Sequence, residues 1–258
     1  MRSPLSITFA VWHAIFLREA LDRLFDMRAA WFWLLIEPAL HIGFIATVYT
    51  VIRMRTIGGT DIAVWIIVGM LAFFLFRRTA TQVMYAVDCN RSLFAYRQVK
   101  PFDTAIVRAG LEAFLTILIS IIILTVATLL GRATIPDDPL LALVAAGGLW
   151  LFAIGYGLIT SVLIELAHEL EHILKLIMIP LYLASGVIFP LDHIPPPYRD
   201  VLMFNPIVHG LESVRMGFSS YYHAAPGVSL GYLYSFAVTS IFFGLLLYRR
   251  FALYLVMR

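Results

Sequence analysis

Asp88-Cys89-Asn90-Arg91-Ser92-Leu93-Phe94-Ala95-Tyr96-Arg97-Gln98-Val99-Lys100-Pro101 is a polar island in an otherwise oily chain. An asparagine or aspartate able to cap a first turn, Leu93, Phe94 and Arg97 at helical spacing, and Pro101 as a stop predict an amphipathic helix of about two or three turns. A loop that merely reverses the chain between two membrane spans needs only a few polar residues. This one sets Phe94 and Tyr96 among Arg91, Arg97 and Lys100, and so reads as a handle gripped by something outside the membrane.

The sequence around the island is that of an integral membrane protein. Of 258 residues, 61% are hydrophobic and 14% charged, against roughly 25% charged in soluble domains. No stretch is left over for a soluble domain. The single cysteine, Cys89, cannot form an internal disulfide. A formal charge of +3, with Lys and Arg sorted by membrane side and not gathered in one stripe, argues against a nucleic-acid partner. No cleavable signal peptide is expected after Arg2. Residues 1–28 read instead as an interfacial amphipathic helix: Leu17, Leu21, Leu24 and Phe25 share one face, and Arg18, Glu19, Asp22, Arg23 and Asp26 the other. The i,i+4 spacing predicts local pairs between Arg18 and Asp22 and between Glu19 and Arg23.

A spanning helix needs about 20 mostly apolar residues, and residues 29–258 accommodate six. The first runs from about Ala29 to Ile52 and carries Glu37, Pro38 and His41. The second starts at Ile62 and must continue through Arg77 and Arg78 to around Val87 to be long enough. The third has its uncharged core at Ala113–Gly131, entered through Arg108 and Glu112, themselves an i,i+4 pair. The fourth, Leu140–Ile164, is rich in glycines that permit close helix approach. The fifth, Ile173–Leu191, is interrupted by Pro180 and Pro190, and the sixth runs from Val228 to Tyr248.

With both termini inside, fourteen Lys and Arg residues fall on the inner side, and five (Arg53, Arg55, Arg132, Arg199 and Arg215) fall outside. The positive-inside rule then puts the 88–101 segment in the cytoplasm. Outside, residues 190–226 are too apolar to float in water. Pro190 and Pro195 lead to Asn205, a plausible N-cap, and Pro206 at the first helical position, with Leu211, Val214 and Phe218 on one face. Two short helices dipping back into the outer leaflet are expected there, a form tolerated only where protein or a wet cavity shields their ends.

Three groups of residues invite chemistry. His168-Glu169-Leu170-Glu171-His172 is a literal H-E-x-x-H, the helix pattern of a zinc protease, in which His168 and His172 bind the metal and Glu169 is the base. A third ligand is missing: Asp192 and His193 lie about 30 Å away along a helix, and Glu165 is on the same helix. A charged helix end near water outweighs the metal reading, so no metal is expected. Arg77 and Arg78 either snorkel to the headgroups or fork around an anionic group. Glu37 and His41 would serve an ion-coupled carrier working alone. No G-x-x-x-x-G-K-[ST] and no G-x-S-x-G occurs, so neither nucleotide phosphates nor a serine nucleophile is provided for in those ways.

Arg97-Gln98-Val99-Lys100-Pro101-Phe102-Asp103-Thr104, leading to Arg108 and Glu112, is one distinctive motif. Ser185-Gly186-Val187-Ile188-Phe189-Pro190-Leu191, Ile194-Pro195 and Phe204-Asn205-Pro206-Ile207-Val208-His209 are the others. In these stretches, and in plan over essentially its whole length, the chain resembles the permease subunits of bacterial capsular polysaccharide ABC exporters, the KpsM family. Permeases of O-antigen and teichoic-acid exporters are similar in plan. The resemblance implies an inner-membrane homodimer of type-2 exporter plan, working with two copies of a separate ATPase that binds ATP and Mg, with no cofactor in this chain. It also implies a lipid-linked acidic polysaccharide as cargo and export proteins in the periplasm and outer membrane as partners. The cargo would meet Arg77, Arg78 and Arg108 at the inner mouth. The ATPase would meet Arg91, Leu93, Phe94, Tyr96, Arg97 and Lys100. Pro190, Pro195, Asn205 and Pro206 would shape the outer end of the channel.

Overall fold

The computed structural model describes residues 4–25, 29–51, 56–96 and 98–257. The chain is an all-α membrane protein with one two-residue hairpin, β1 (Thr56–Ile57) and β2 (Thr60–Asp61). Its helices are α1 (Pro4–Phe25), α2 (Ala30–Val51), α3 (Ile62–Met84), α4 (Pro101–Leu129), α5 (Pro139–Leu166), α6 (Leu170–Ala184), α7 (Pro196–Leu202), α8 (Pro206–Phe218), α9 (Leu230–Arg250) and α10 (Ala252–Met257). A 3₁₀ segment, Asp88–Ala95, lies between α3 and α4.

Helix α3 is the central column. It is apolar on every side, with Trp65, Phe73 and Phe76 fully buried, as a helix surrounded by other helices must be. Asp61 caps it, its carboxylate accepting the N–H groups of Ala63 and Val64. Helix α5 packs between α3 and α9 because its glycines let backbones approach. A Cβ on Gly157 would stand 2.5 Å from that of Val83, and one on Gly155 would stand 2.6 Å from the backbone nitrogen of Ile241. Helices α2, α4, α6 and α9 turn Phe44, Ile117, Leu176 and Phe242 outward, where lipid, and not water, is the natural solvent.

Among the described residues five helices, α2, α3, α4, α5 and α9, are long and apolar enough to cross a bilayer. Their bounds agree with five of the six expected spans. The expected fifth span, Ile173–Leu191, is cut short at Ala184, because Ser185 closes the helix and Gly186 turns the chain with φ +68°. With 15 residues, α6 is about 22 Å long, less than the roughly 30 Å of hydrocarbon.

The polar island folds differently from the expected α-helix. It is a 3₁₀ helix kinked at Asn90 (φ −119°, ψ 16°), followed by an extended Tyr96. Pro101 does not merely stop it but opens α4, where its missing N–H costs nothing and its ring holds Lys100 extended. Asp103 completes the start of α4, accepting the Lys100 N–H at 2.9 Å and the Trp12 indole N–H at 2.8 Å.

Two short helices do occupy the 190–226 loop. Helix α8 is sandwiched against α3, α5 and α9 and is buried almost throughout. At the same end Arg132 pairs with Asp61 at 2.7 Å. Asp137 takes the Ser220 N–H and hydroxyl, which hold its carboxyl below the usual range.

Candidate functional site

Three polar assemblies lie along the bundle, beginning at the end that carries the 3₁₀ segment. There, the expected local pairs exchange partners. Glu19 on α1 binds Arg108 on α4 through two contacts, Nε–Oε1 at 3.1 Å and the second at 3.0 Å. Arg23 on α1 binds Glu112 on α4 at 2.6 Å. Glu19 and Arg23, like Arg108 and Glu112, are one helical turn apart, so two helices packed side by side in the same sense match both pairs at once. Burial alone would raise the Glu19 pKa, yet the Arg108 guanidinium holds it below its ordinary value. Glu19 and Arg23 therefore point at protein, while Leu17, Leu21 and Phe25 point away from it.

Arg18, next to Glu19, also binds the Asn90 side-chain oxygen, and the Asn90 amide returns to the Ala86 carbonyl at 3.0 Å. Arg91 grips Asp88 at 3.1 Å and buried Glu165, at the end of α5, at 2.8 Å. The 3₁₀ segment is thus tied to α1, α3 and α5 at once. Phe94, expected on its outer surface, is instead buried among Val83, Ala105, Leu158 and Tyr248. A half-polar segment lying on a bundle anchors itself by its largest apolar side chain. Tyr96 and Lys100 are exposed and Arg91 and Leu93 are half-buried, while Arg97 lies outside the described residues.

The second assembly is a cleft of about 440 Å³ between α2, α3 and α6, lined by His41, Arg77, Thr81, Lys175 and Tyr182 among others. Arg77 also faces a smaller cavity with Arg78, Glu37 and Phe74. The structure brings Arg77 and Arg78 together and leaves Arg108 apart from both cavities, neutralised by Glu19. The fork of donors on Arg108 faces a buried carboxylate, whereas Arg77 and Arg78 face open cavities. Lys175 was missed as a lining residue. The signal was there: Lys175, Met178, Ile179 and Tyr182 recur at helical spacing and form one face of α6. Behind the cleft the buried rings of Phe73 and Phe74 pack on its lining residues Tyr182 and His41, with centroids 5.1 to 5.8 Å apart. His41 meets the Tyr182 hydroxyl at 3.4 Å, while Glu37 faces the arginines.

Farther along α2 and α6, a second cavity of about 440 Å³ is lined by Tyr49, Gly186, Phe189, Pro190 and His193. Beside it the outer motifs are knotted together. Asn205 caps α8 through the Ile207 N–H at 3.0 Å, and its amide binds the Ser185 hydroxyl at 2.9 Å. His209 donates from Nε2 to the Met203 carbonyl and accepts the Ser229 N–H at Nδ1, which uses both nitrogens of a neutral imidazole. Arg215 is 2% exposed. It binds the carbonyls of Gly186 and Val187 at 2.9 and 3.0 Å, pairs with Glu212 at 2.9 Å, and stacks 3.6 Å above the Trp65 ring. It is no loop charge, as its place in the expected outer set implied. Pro195 starts the turn into α7, and Pro206 is the first residue of α8.

The H-E-x-x-H run does not form the metal-binding helix face. His168 and Glu169 sit in the turn between α5 and α6, so that of the three residues the zinc motif needs only His172 is helical. Glu165 is engaged by Arg91, and among the described residues no three potential ligands converge.

Residues 10–219 match the family described as ABC-2 type transporter. The chain is 32% identical over 248 residues to the polysialic acid transport protein KpsM of Escherichia coli, covering 96% of each. It is 28% identical over 220 residues to the capsule polysaccharide export inner-membrane protein CtrC of Neisseria meningitidis serogroup B, covering 83% of this chain and 81% of that one. With BexB of Haemophilus influenzae, also a capsule polysaccharide export inner-membrane protein, identity is 24% over 220 residues, 84% and 82% of the two chains. With its apolar helices and buried polar ties, the chain belongs to the ABC-2 type transporter family and is a membrane permease, not an enzyme.

Proposed function

We propose that this chain is the membrane-spanning subunit of an ATP-driven exporter that moves lipid-linked acidic capsular polysaccharide out of the cytoplasm. It works as a homodimer with two copies of a separate ATPase, which binds ATP and Mg, and hands its cargo to periplasmic and outer-membrane partners. Both termini face the cytoplasm, and α6 with the turn after it makes the sixth crossing. The 88–101 segment couples to the ATPase, and residues 190–226 form the outer end of the path.

The observation that carries this reading is the α2–α3–α6 cleft. Arg77 presents a cation to an acidic headgroup, with Lys175 beside it held by Glu171 at 2.6 Å, and aromatic faces follow along α2 and α6 toward Tyr49 and Phe189. Sugar rings stack readily on such faces. Within the coupling segment, exposed Tyr96 and Lys100 are the contacts offered to the ATPase, and Phe94 is the peg beneath them.

The test is co-purification of the tagged permease with its ATPase. Tyr96→Ala is expected to release the ATPase while leaving thermal stability unchanged, whereas Phe94→Ala lowers stability by about 3–5 kcal/mol, the cost of emptying a buried phenylalanine site. Exposed Cys89 should react with a membrane-impermeant maleimide in inverted vesicles and not from outside spheroplasts. Labelling from outside, or an ATPase that stays bound to Tyr96→Ala together with Lys100→Ala, would overturn the assignment.

A further inference from the structure

Between the end of the 3₁₀ segment, the start of α4 and the junction of α9 with α10 lies a groove of about 640 Å³, whose Lys100 is also one of the residues offered to the ATPase. Phe102, Leu245, Tyr248 and Leu253 make most of its wall, and Lys100 and Arg249 are its two cations. None of its lining residues among those described carries a carboxylate. Both cations are exposed. The nearby acids are already engaged: Asp103 by the Lys100 N–H and Trp12, and Glu165 by Arg91. Pro101 opens one spanning helix and Arg250 closes another, so the groove sits where hydrocarbon gives way to headgroups. Beyond Phe251, α10 turns Leu253 and Val256 outward, as a helix lying against lipid does.

We propose that this groove holds an anionic phospholipid, its phosphate between Lys100 and Arg249 and an acyl chain along Phe102, Leu245 and Leu253. Water is a poor occupant of an apolar wall, and a zwitterionic lipid leaves the paired cations without a net negative charge to balance. Lys or Arg beside a membrane surface favours anionic lipid by about fivefold each, so the pair is worth about 25-fold. A bound lipid would fill the space between the coupling segment and the C-terminal helices.

The experiment uses the full permease with its ATPase, delipidated in neutral detergent and titrated with dioleoyl phosphatidylglycerol or dioleoyl phosphatidylethanolamine, with retained lipid read by native mass spectrometry. The expected result is retention of phosphatidylglycerol over phosphatidylethanolamine by at least about tenfold. Arg249→Gln should reduce that retention by about fivefold. Ala252→Trp, which fills the groove without removing a charge, should abolish it. Arg249 and Ala252 lie outside the segment assigned to the ATPase, so the ATPase should remain bound to both variants. Equal retention of the two lipids, or unchanged retention in Ala252→Trp, would overturn the proposal. So would loss of the ATPase in Arg249→Gln and Ala252→Trp, which would make the groove a protein-docking surface.

Discussion

Replacing Glu19 tests whether Arg108 is a strut or a cargo ligand. Its guanidinium is 9% exposed and the Glu19 side chain 5%, and the two share contacts at 3.0 and 3.1 Å. Removing one member of such a pair leaves the other charge buried, at about 3–5 kcal/mol. Arg108 has fallback acceptors at 3.5 Å in Gln82 and the Tyr85 carbonyl, so the lower end, about 3 kcal/mol, is expected for Glu19→Gln. Arg108→Gln should cost about the same, because it leaves buried Glu19 only Arg18, at 3.1 Å and shared with Asn90, as its cation. The double variant leaves two neutral amides able to bond to each other and should be no worse than either single. The cycle therefore predicts a coupling of about 3 kcal/mol. At about 2–4 °C per kcal/mol, each single lowers the melting temperature by about 6–12 °C. Tryptophan fluorescence of protein in nanodiscs is a suitable readout, since Trp12 reports directly on the α1–α4 contact. Single effects that add to within about 0.5 kcal/mol would refute the strut. An Arg108→Gln protein that melts normally but no longer binds polysaccharide would restore Arg108 to the cargo site.

Acidification should reproduce part of that loss. The Glu19 pKa is depressed in the folded protein, so its contribution is present above the ordinary value of 4.5 and is lost as pH falls below it toward the folded value; Glu19→Gln should remove this limb from a stability-versus-pH profile. Arg215→Met is expected to lower stability by about 3–5 kcal/mol, because Glu212 keeps only the Tyr222 hydroxyl as partner. Arg215→Lys should recover only part of it, since an ammonium cannot fork to two carbonyls while stacking on Trp65; urea or thermal melts of the three proteins check the order. Gly157→Ala should cost about 1–3 kcal/mol by driving α5 off Val83, whereas Gly147→Ala, whose new methyl would meet nothing closer than 3.6 Å, should leave the melting temperature unchanged.

Five of the six expected spans, the α8 cap and the two short helices within residues 190–226 were legible in the chain because each rests on local rules: apolar length, Asn205 before Pro206, glycines along the fourth span. The family resemblance was legible for the same reason, in contiguous motifs. Partner choice was not. Glu19 with Arg23, and Arg108 with Glu112, satisfy i,i+4 spacing within their own helices, and nothing local says that each will prefer the other helix. Only packing α1 beside α4 brings Glu19 to Arg108 and makes the crossed pairs better shielded than the local ones. Arg215 read as an outer-loop charge because sequence carries no depth, and the fold then buried it over Trp65. Phe94 lies inside and Tyr96 outside for a similar reason, since a 3₁₀ segment tied at Asn90 and Arg91 presents a different face from the regular helix that periodicity suggested. Backbone form and membrane class follow from neighbours along the chain, whereas which charges meet follows from distances between residues far apart in it, and those exist only once the helices have packed.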